Sequence, residues 1–312
     1  MSKTAFLFPG QGAQFVGMAK DVYEAFPVAK EFFDRAEAAT NLPIAKLCFE
    51  GPEDQLNRTD NAQPCIFTAS AAMLAVMQEI MGDSFPAADF AAGLSLGEYS
   101  ALYAAGAMDF ETGVSLVAKR GQYMQAAANA RPSGMVAVLG PAFTEENAYE
   151  LCKEASQGQI LSPANFNCPG QIVLSGENEP CQRAADLATN YDAMDAKVLS
   201  VAGAFHSEIM APAAENLAAA LNEAKFSMPK IPVIANVDAK FYESAEEIPS
   251  KLLAQLTGAV RWQQSMEALL EQGMDKPYEI GPGKVLFGLM RRINRKCRVT
   301  LVNTKDNAEK LA

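Results

Sequence analysis

The chain contains 312 residues, of which 49% are hydrophobic and 20% are charged, so it can bury the core of one large domain or of one domain that carries an inserted smaller one. A formal net charge of −11 disfavours a nucleic-acid partner, and no uninterrupted apolar run reaches the roughly 18 residues that a membrane-spanning helix needs. The first residues lack the basic start and apolar core of a signal peptide, and the six cysteines are scattered without a C-x-x-C pair. The sequence therefore predicts a cytoplasmic protein with reduced thiols.

Strands and helices alternate through the first 130 residues. Strands are predicted over 4–10 and near 89–93, and helices over 21–39, 62–81, 96–106 and 110–129. The helix over 62–81 is apolar on most sides, so we expect it to be buried.

Residues 134–201 follow a different pattern, in which the order β-α-β-β-α-β is that of a ferredoxin-like unit. Helix–strand alternation then resumes, with helices over 207–225, 246–257, 262–273 and 284–295 and strands over 232–237, 277–281 and 298–303. The predicted fold class is therefore α/β. A parallel-sheet core formed by residues 1–130 and 202–312 is interrupted by a small ferredoxin-like subdomain at 131–201.

Ser95 occupies the centre of a G-x-S-x-G motif, GLSLG, between a predicted strand and a predicted helix. This context lifts a serine nucleophile clear of a sheet, although Gly and Ser are also common in ordinary turns. The following helix would direct free amide groups, beginning with Leu96 N–H, at a developing oxyanion. A second donor is predicted at Gln11 in FPGQGAQ, a turn that lacks the Lys and Ser/Thr of a nucleotide-binding P-loop.

His206 is the only histidine in the chain, so any mechanism that needs an imidazole base must use it, and a histidine-cluster metal site is excluded. It lies where the predicted insert returns to the core, a place where clefts form. The alternative is a histidine with a purely structural role. No Asp or Glu identifies itself as the third member of a Ser-His-acid triad, and about a third of the chain follows His206, unlike the order in a typical esterase.

Arg120 lies on an otherwise apolar face of the helix over 110–129, together with Val117, Gly121 and Met124. A buried guanidinium is costly unless an anion meets it. Two interpretations follow. Either Arg120 pairs with a buried carboxylate of the protein, or it is held for an anionic ligand, such as an acyl group that carries its own carboxylate.

Eight motifs occur along the chain in an order and spacing typical of one family. They are FPGQGAQ, GLSLGEYSAL, KRGQYMQ, NFNCPGQIVLSG, GAFHS, NVDAK, QLTGAVRW and EIGPGKVLFGL. Together they closely resemble the malonyl-CoA:acyl-carrier-protein transacylases of fatty-acid synthesis, and the similarity runs from Thr4 to about Val302.

The resemblance implies a hydrolase-like α/β core, with the active site in the cleft between this core and the ferredoxin-like subdomain. It implies that Ser95 is the nucleophile and His206 the base. The backbone N–H groups of Gln11 and Leu96 would form the oxyanion hole. Arg120 would bind the malonyl carboxylate, and a main-chain carbonyl in the region of Gln255 would orient His206 in place of an acid.

Further positions carry expectations about substrate binding. The residues predicted to line the substrate site are Met124, Asn165, Asn167 and Phe205. The two asparagines are explained equally well as turn formers before a Pro-Gly pair. Phe205 resembles the malonyl-selective form of the motif, since relatives that take methylmalonyl often have a smaller residue there. Leu94 departs from the His that many members carry before the nucleophile, so any contribution of that His is absent.

The implied partners are malonyl-CoA and acyl carrier protein; no metal or organic cofactor is required, and a monomer suffices. Carrier protein is acidic, so docking on this acidic chain needs a local basic surface. Segment 290–298 offers one, with the candidate docking residues Arg291, Arg292, Arg295 and Lys296. The same cations also favour a helix C-terminus, which is the alternative interpretation. Two other functions compete with a transacylase: a serine esterase or thioesterase, and a non-catalytic acyl-binding subunit.

Overall fold

A computed structural model describes residues 2–312 of the chain. The strands are β1 (Lys3–Phe8), β2 (Phe90–Gly93), β3 (Ser133–Leu139), β4 (Leu161–Cys168), β5 (Gln171–Glu177), β6 (Asp195–Val198), β7 (Met274–Ile280) and β8 (Thr300–Val302). The helices are α1 (Lys20–Ala25), α2 (Pro27–Thr40), α3 (Ile44–Glu50), α4 (Glu53–Asn57), α5 (Thr59–Met81), α6 (Gly97–Ala104), α7 (Phe110–Ala130), α8 (Glu145–Ser156), α9 (Asn178–Leu187), α10 (Ala211–Glu223), α11 (Glu247–Thr257), α12 (Trp262–Glu271), α13 (Val285–Ile293) and α14 (Lys305–Glu309).

The first of two four-stranded sheets is the parallel sheet that the sequence predicts for the core. Its strand order is β2-β1-β7-β8, and every neighbouring pair is parallel. Alternate side chains of β1 enter two separate cores, because successive residues of a strand point to opposite faces. Phe6 and Phe8 pack on the α5 side, whereas Ala5 and Leu7 pack on the side of α12 and α13. The carboxyl ends of these strands therefore lie along one edge of a sheet that is covered on both faces.

The second four-stranded sheet belongs to the inserted subdomain. Its order is β4-β5-β3-β6 and its pairs are antiparallel, with α8 and α9 packed against it, which is the ferredoxin-like arrangement. The predicted fold class is thereby confirmed. The limits 131–201 proposed for the subdomain remain a prediction.

Two details differ from the sequence prediction. The helix predicted over 21–39 is two helices, because the chain is extended at Phe26 and Pro27 then begins α2. The strand predicted over 232–237 is reduced to single bridges, Ala91 with Val233 and Ile234 with Phe241, since the chain turns back on itself there. The helix predicted over 62–81 is α5, and it is buried as expected. The apolar stretch Thr59–Ser84 has the length and composition of a membrane span, and 72% of its most apolar window is buried inside the protein.

Two contacts join the subdomains beside the sheet edge that carries the predicted site. The backbone at Val260 pairs with β4, donating to Ala164 and accepting from Phe166. Just after the end of β4, the guanidinium of Arg292 donates to the carbonyls of Pro169 and Gly170 in the β4–β5 turn. The small subdomain is therefore held from both α13 and the segment that precedes α12.

Candidate active site

Ser95 lies in a sharp turn between β2 and α6, with a left-handed backbone at φ 52°. Such a conformation is strained for a residue that is not glycine, and it occurs at nucleophile turns. The glycines on either side allow a backbone approach that no side chain would permit. A Cβ on Gly93 would lie 1.8 Å from the Gly97 carbonyl oxygen, and a Cβ on Gly97 would lie 2.1 Å from that of Phe8. The motif spacing is therefore required by the packing of this turn against β1.

His206 contacts the nucleophile directly. Its Nε2 lies 2.8 Å from Ser95 Oγ, and its Nδ1 lies 2.7 Å from the carbonyl oxygen of Gln255. A carbonyl oxygen can only accept, so the ring proton belongs on Nδ1, and Nε2 is left to accept the Ser95 hydroxyl proton. A main-chain carbonyl thus occupies the place that a carboxylate has in a Ser-His-acid triad.

The environment of His206 keeps the imidazole neutral. Burial lowers its pKa to about 4, and the positive charge of Arg120 contributes in the same direction. The ring is therefore unprotonated at neutral pH and available as a general base.

Arg120 is 1% exposed and projects from α7 onto the nucleophile. Its Nη2 donates to Ser95 Oγ at 3.1 Å and to Gln255 Oε1 at 2.9 Å, while Nη1 donates to Gln63 Oε1 at 2.7 Å. Within the described residues 2–312, these partners are all neutral and the Nε–H has no partner. The structure therefore does not show the first interpretation, in which Arg120 pairs with a carboxylate of the protein. The second interpretation, an Arg120 held for an anionic ligand, remains.

The predicted oxyanion donors come from two loops that contact each other. Leu96 lies immediately before α6, and Gln11 follows β1 in the FPGQG turn. The Leu94 N–H donates to the Phe8 carbonyl at 3.1 Å, which holds the two loops together at the sheet edge. Among residues 2–312, the backbone hydrogen bonds of turns, loops and helix caps include none that is donated by the Gln11 N–H or the Leu96 N–H.

Four polar residues in or next to this site were missed by the sequence analysis: Gln63, Glu98, Asn236 and Tyr242. Asn236 accepts from the Ser95 N–H at 2.6 Å and donates to the Gly93 carbonyl at 2.8 Å, so it braces the strained turn. Glu98 lies within the GLSLGEYSAL motif and Asn236 within NVDAK, so membership of a motif is the one sequence signal that points to them. Their partners are distant in sequence, and no periodic pattern identifies them.

The residues predicted to bind substrate are placed less uniformly. Met124 lies next to Arg120's partner, since its sulfur accepts from Gln63 Nε2 at 3.3 Å, and Phe205 is buried beside His206. Asn165 and Asn167 lie on β4, across the subdomain boundary. In the part of the chain that the structure describes, neither asparagine side chain hydrogen bonds to Ser95, His206 or Arg120.

The basic surface consists of Arg291, Arg292, Arg295 and Lys296, all exposed at the C-terminal end of α13. Arg291, Arg295 and Lys296 form no ion pair within residues 2–312. Arg292 is held by hydrogen bonds to the small subdomain: besides the carbonyls of the β4–β5 turn, it donates to Gln171 Oε1 at 2.9 Å. Arg291, Arg292 and Arg295 line a cavity together with Lys284, Phe287 and Gly288. Among the described residues, no group of three or more His, Cys, Asp or Glu side chains could hold a metal ion; the absence of a cofactor stays a prediction.

Comparison with known proteins shows the family. A model described as the acyl transferase domain matches residues 5–302. The malonyl CoA-acyl carrier protein transacylase of Bacillus subtilis is 43% identical over 309 residues, covering 99% of this chain and 96% of that protein. The solved transacylase of Coxiella burnetii superposes with a TM-score of 0.95 at 36% identity, over 99% of this chain and 96% of that one. A malonyl-transacylase solved in complex with a type II PKS acyl-carrier protein superposes at 0.94 with 41% identity, over 99% of both chains. The chain belongs to the malonyl-CoA:acyl-carrier-protein transacylase family of acyltransferases.

Proposed function

We propose that this enzyme transfers the malonyl group from malonyl-CoA to acyl carrier protein through an ester on Ser95. The relatives are bacterial proteins with this activity in their names, and the chemistry of the site supports the same reaction here. We propose a cytoplasmic location, a monomer and no cofactor beyond the thioester substrate.

The observation that carries the proposal is the position of Arg120. Its guanidinium is buried among neutral partners and lies 3.1 Å from the nucleophile oxygen. A buried cation with spare donors binds an anion, and the fork of Arg suits a carboxylate. Because the cation is so close to Ser95 Oγ, the carboxylate must lie very near the carbonyl that Ser95 attacks. Malonyl, with one methylene between its two carbonyl carbons, meets that requirement.

In the first half-reaction, His206 Nε2 takes the Ser95 hydroxyl proton as Oγ attacks the thioester carbon. The carbonyl oxygen becomes an oxyanion, which the Gln11 and Leu96 N–H groups would receive. When the tetrahedral intermediate collapses, the C–S bond breaks and the CoA sulfur leaves with the proton held on His206. A malonyl-Ser95 ester remains.

In the second half-reaction, the phosphopantetheine thiol of the carrier gives its proton to His206 and attacks the ester carbon. The C–O bond to Ser95 breaks and Oγ recovers the proton from Nε2, so the enzyme returns to its starting state. Arg120 holds the malonyl carboxylate through both steps. A neutral acyl group would leave the guanidinium without its anion, which is the basis of selection.

For the carrier, we propose that docking uses the basic surface of α13. β2 ends at the Ser95 turn and β7 leads into α13, and since both strands are parallel their ends lie on one edge of the sheet. α13 begins at this edge, and the cations toward its C-terminal end would attract an acidic carrier to this side of the protein. Arg291 and Arg295 are the main candidates, because Arg292 already binds the β4–β5 turn.

The test is the mass of the intact protein after brief mixing with malonyl-CoA, beside acetyl-CoA and a Ser95→Ala variant. We expect a malonyl adduct on the wild type, little acetyl adduct, and no adduct on Ser95→Ala. Adding carrier protein that bears phosphopantetheine should remove the adduct and produce malonyl-carrier.

Other outcomes would contradict the proposal in different ways. Equal acetyl and malonyl labelling would remove the role given to Arg120. Loss of the adduct to water as fast as to carrier would favour the esterase or thioesterase alternative. A folded wild-type protein without any adduct would favour the acyl-binding subunit.

A further inference from the structure

Glu98 is a buried carboxylate that the two-step mechanism does not use. It lies one residue into α6, three positions after Ser95, and is 1% exposed. Within residues 2–312 it is not bound to a Lys or Arg side chain; its hydrogen bonds come from Tyr242, Gln255 and Asn236. An unpaired buried carboxylate costs stability, so its retention next to a nucleophile needs an explanation.

The two oxygens of Glu98 have different surroundings. Oε2 receives Gln255 Nε2 at 2.6 Å and the Asn236 backbone N–H at 3.1 Å, whereas Oε1 receives the Tyr242 hydroxyl. Burial raises the pKa of Glu98 to about 7. When the carboxyl is protonated, its proton belongs on Oε1, because a hydroxyl can turn and accept while an N–H cannot. Oε2 therefore acts as an acceptor in both protonation states.

Gln255 stands between this acceptor and Arg120. Its Nε2 donates to Glu98 Oε2 and, at 3.0 Å, to the Ser95 carbonyl, while its Oε1 accepts from Arg120 at 2.9 Å. Turning the carboxamide by half a rotation would bring its oxygen against two acceptors and its NH₂ against a guanidinium that can only donate. Only one orientation of Gln255 satisfies both neighbours.

We propose that Glu98 is a positioning residue that fixes the orientation of the Gln255 carboxamide and thereby keeps Arg120 directed at Ser95. The inference rests on the proposed function, since it assigns Glu98 a part in the selection of malonyl. Glu98 itself touches neither the nucleophile oxygen nor the Arg120 guanidinium through a hydrogen bond.

The test compares the acylation rates of three variants with malonyl-CoA and with acetyl-CoA, by intact mass after rapid quenching. Glu98→Met removes both acceptors at similar length, and we expect the malonyl-to-acetyl rate ratio to fall about tenfold. Glu98→Gln can keep an oxygen toward Gln255 and an NH₂ toward Tyr242, so a loss of only about threefold is expected. Glu279→Met is the matched control. It removes another buried carboxylate, which accepts two backbone N–H groups at the start of α13 and makes no hydrogen bond to Gln255 or Arg120, and should leave the ratio unchanged.

A merely structural role predicts a different result. Equal losses of malonyl and acetyl acylation in folded Glu98→Met, or no loss, would overturn the inference while leaving the proposed function intact. A wild type that malonyl-CoA does not acylate would overturn both. In an Arg120→Ala background, Glu98→Met should lower the ratio no further, because both changes act on one contact; a full additional loss would also overturn it.

If Glu98→Met does not fold, Glu98→Asp gives the same decision. The shorter carboxylate withdraws from Gln255 but keeps the charge and one acceptor group. We expect a selective loss of malonyl acylation that exceeds that of Glu98→Gln. A loss shared equally by acetyl-CoA would contradict the inference.

Discussion

The buried network around Ser95 and the exposed basic surface of α13 hold their polar groups in opposite ways. In the network, Arg120, His206, Gln255 and Asn236 each have assigned partners at 2.6–3.1 Å. On α13, Arg291, Arg295 and Lys296 are exposed and form no ion pair within residues 2–312. Burial makes an unpaired polar group costly, so most buried groups have fixed partners, whereas water satisfies an exposed cation in any position.

The difference decides what each region can do. A group held by several bonds has one geometry, which suits it to bond making and to the recognition of a small anion. A group held only by solvent adapts to a large partner and acts through its charge over longer distances. Substitutions should therefore have large and specific effects in the network and small, salt-dependent effects on α13.

The largest expected effect is that of Arg120→Ala. Removing the guanidinium leaves the malonyl carboxylate without its partner, so we expect kcat/KM for malonyl-CoA to fall about a hundredfold or more, with little loss for acetyl-CoA. Arg120→Lys keeps the charge without the planar fork, so its kcat/KM for malonyl-CoA should lie between those of the wild type and Arg120→Ala. Steady-state rates with both thioesters measure the effect; parallel losses for both would show that Arg120 supports the fold rather than selection.

A second contrast concerns backbone packing in the two regions. Gly97→Ala places a Cβ 2.1 Å from the Phe8 carbonyl oxygen, whereas a Cβ on Gly288, in the interior of α13, meets nothing within 4 Å. We expect Gly97→Ala to lower the free energy of unfolding by about 1–3 kcal/mol. Gly288→Ala should raise it by about 0.5–1 kcal/mol, since Ala favours helix. Urea unfolding of both variants measures this, and equal stabilities would contradict the packing described for the Ser95 turn.

The third effect is on pH dependence. Burial and the Arg120 charge hold the pKa of His206 at about 4, so wild-type acylation should lose its base only below about pH 4. Arg120→Met removes a positive charge, which favours the imidazolium, so the pKa of His206 must rise. We expect the acid limb of the rate profile with acetyl-CoA to move to higher pH. An unmoved limb, or a shift to lower pH, would show that Arg120 does not act on His206 through its charge.

The smallest effect is expected on α13. Arg291→Glu with Arg295→Glu should raise KM for carrier protein about three- to tenfold at low salt and leave acylation by malonyl-CoA unaltered. Lys30→Glu makes the same kind of charge change on α2, which packs on the opposite face of the parallel sheet from α13, and serves as the control. Arg292→Glu should differ from both, because it also breaks the contacts with the β4–β5 turn. An unchanged KM in the double variant would place docking elsewhere.

Much of the fold followed from local patterns in the sequence. Apolar periodicity located most of the strands and helices, including the β-α-β-β-α-β insert, because these elements are stabilised by a face that repeats every two or 3.6 residues. It failed at 21–39 and 232–237, where a proline and a reversal of the chain interrupt an otherwise regular pattern. A single histidine and a motif serine likewise reduced the choice of a Ser-His pair to one.

The partners of those residues were decided by tertiary structure alone. Gln63, Asn236 and Tyr242 reach the site from elements far from Ser95 in the chain, and amide or hydroxyl side chains carry no periodic signal. The sequence left open whether Arg120 meets a carboxylate. In the folded chain Arg120 donates to neutral acceptors, and the side chain of Gln255 lies between Arg120 and Glu98, with a hydrogen bond to each. Local pattern determines which segments form and which face is buried, but hydrogen-bond partners depend on distances between segments, which only the folded chain defines.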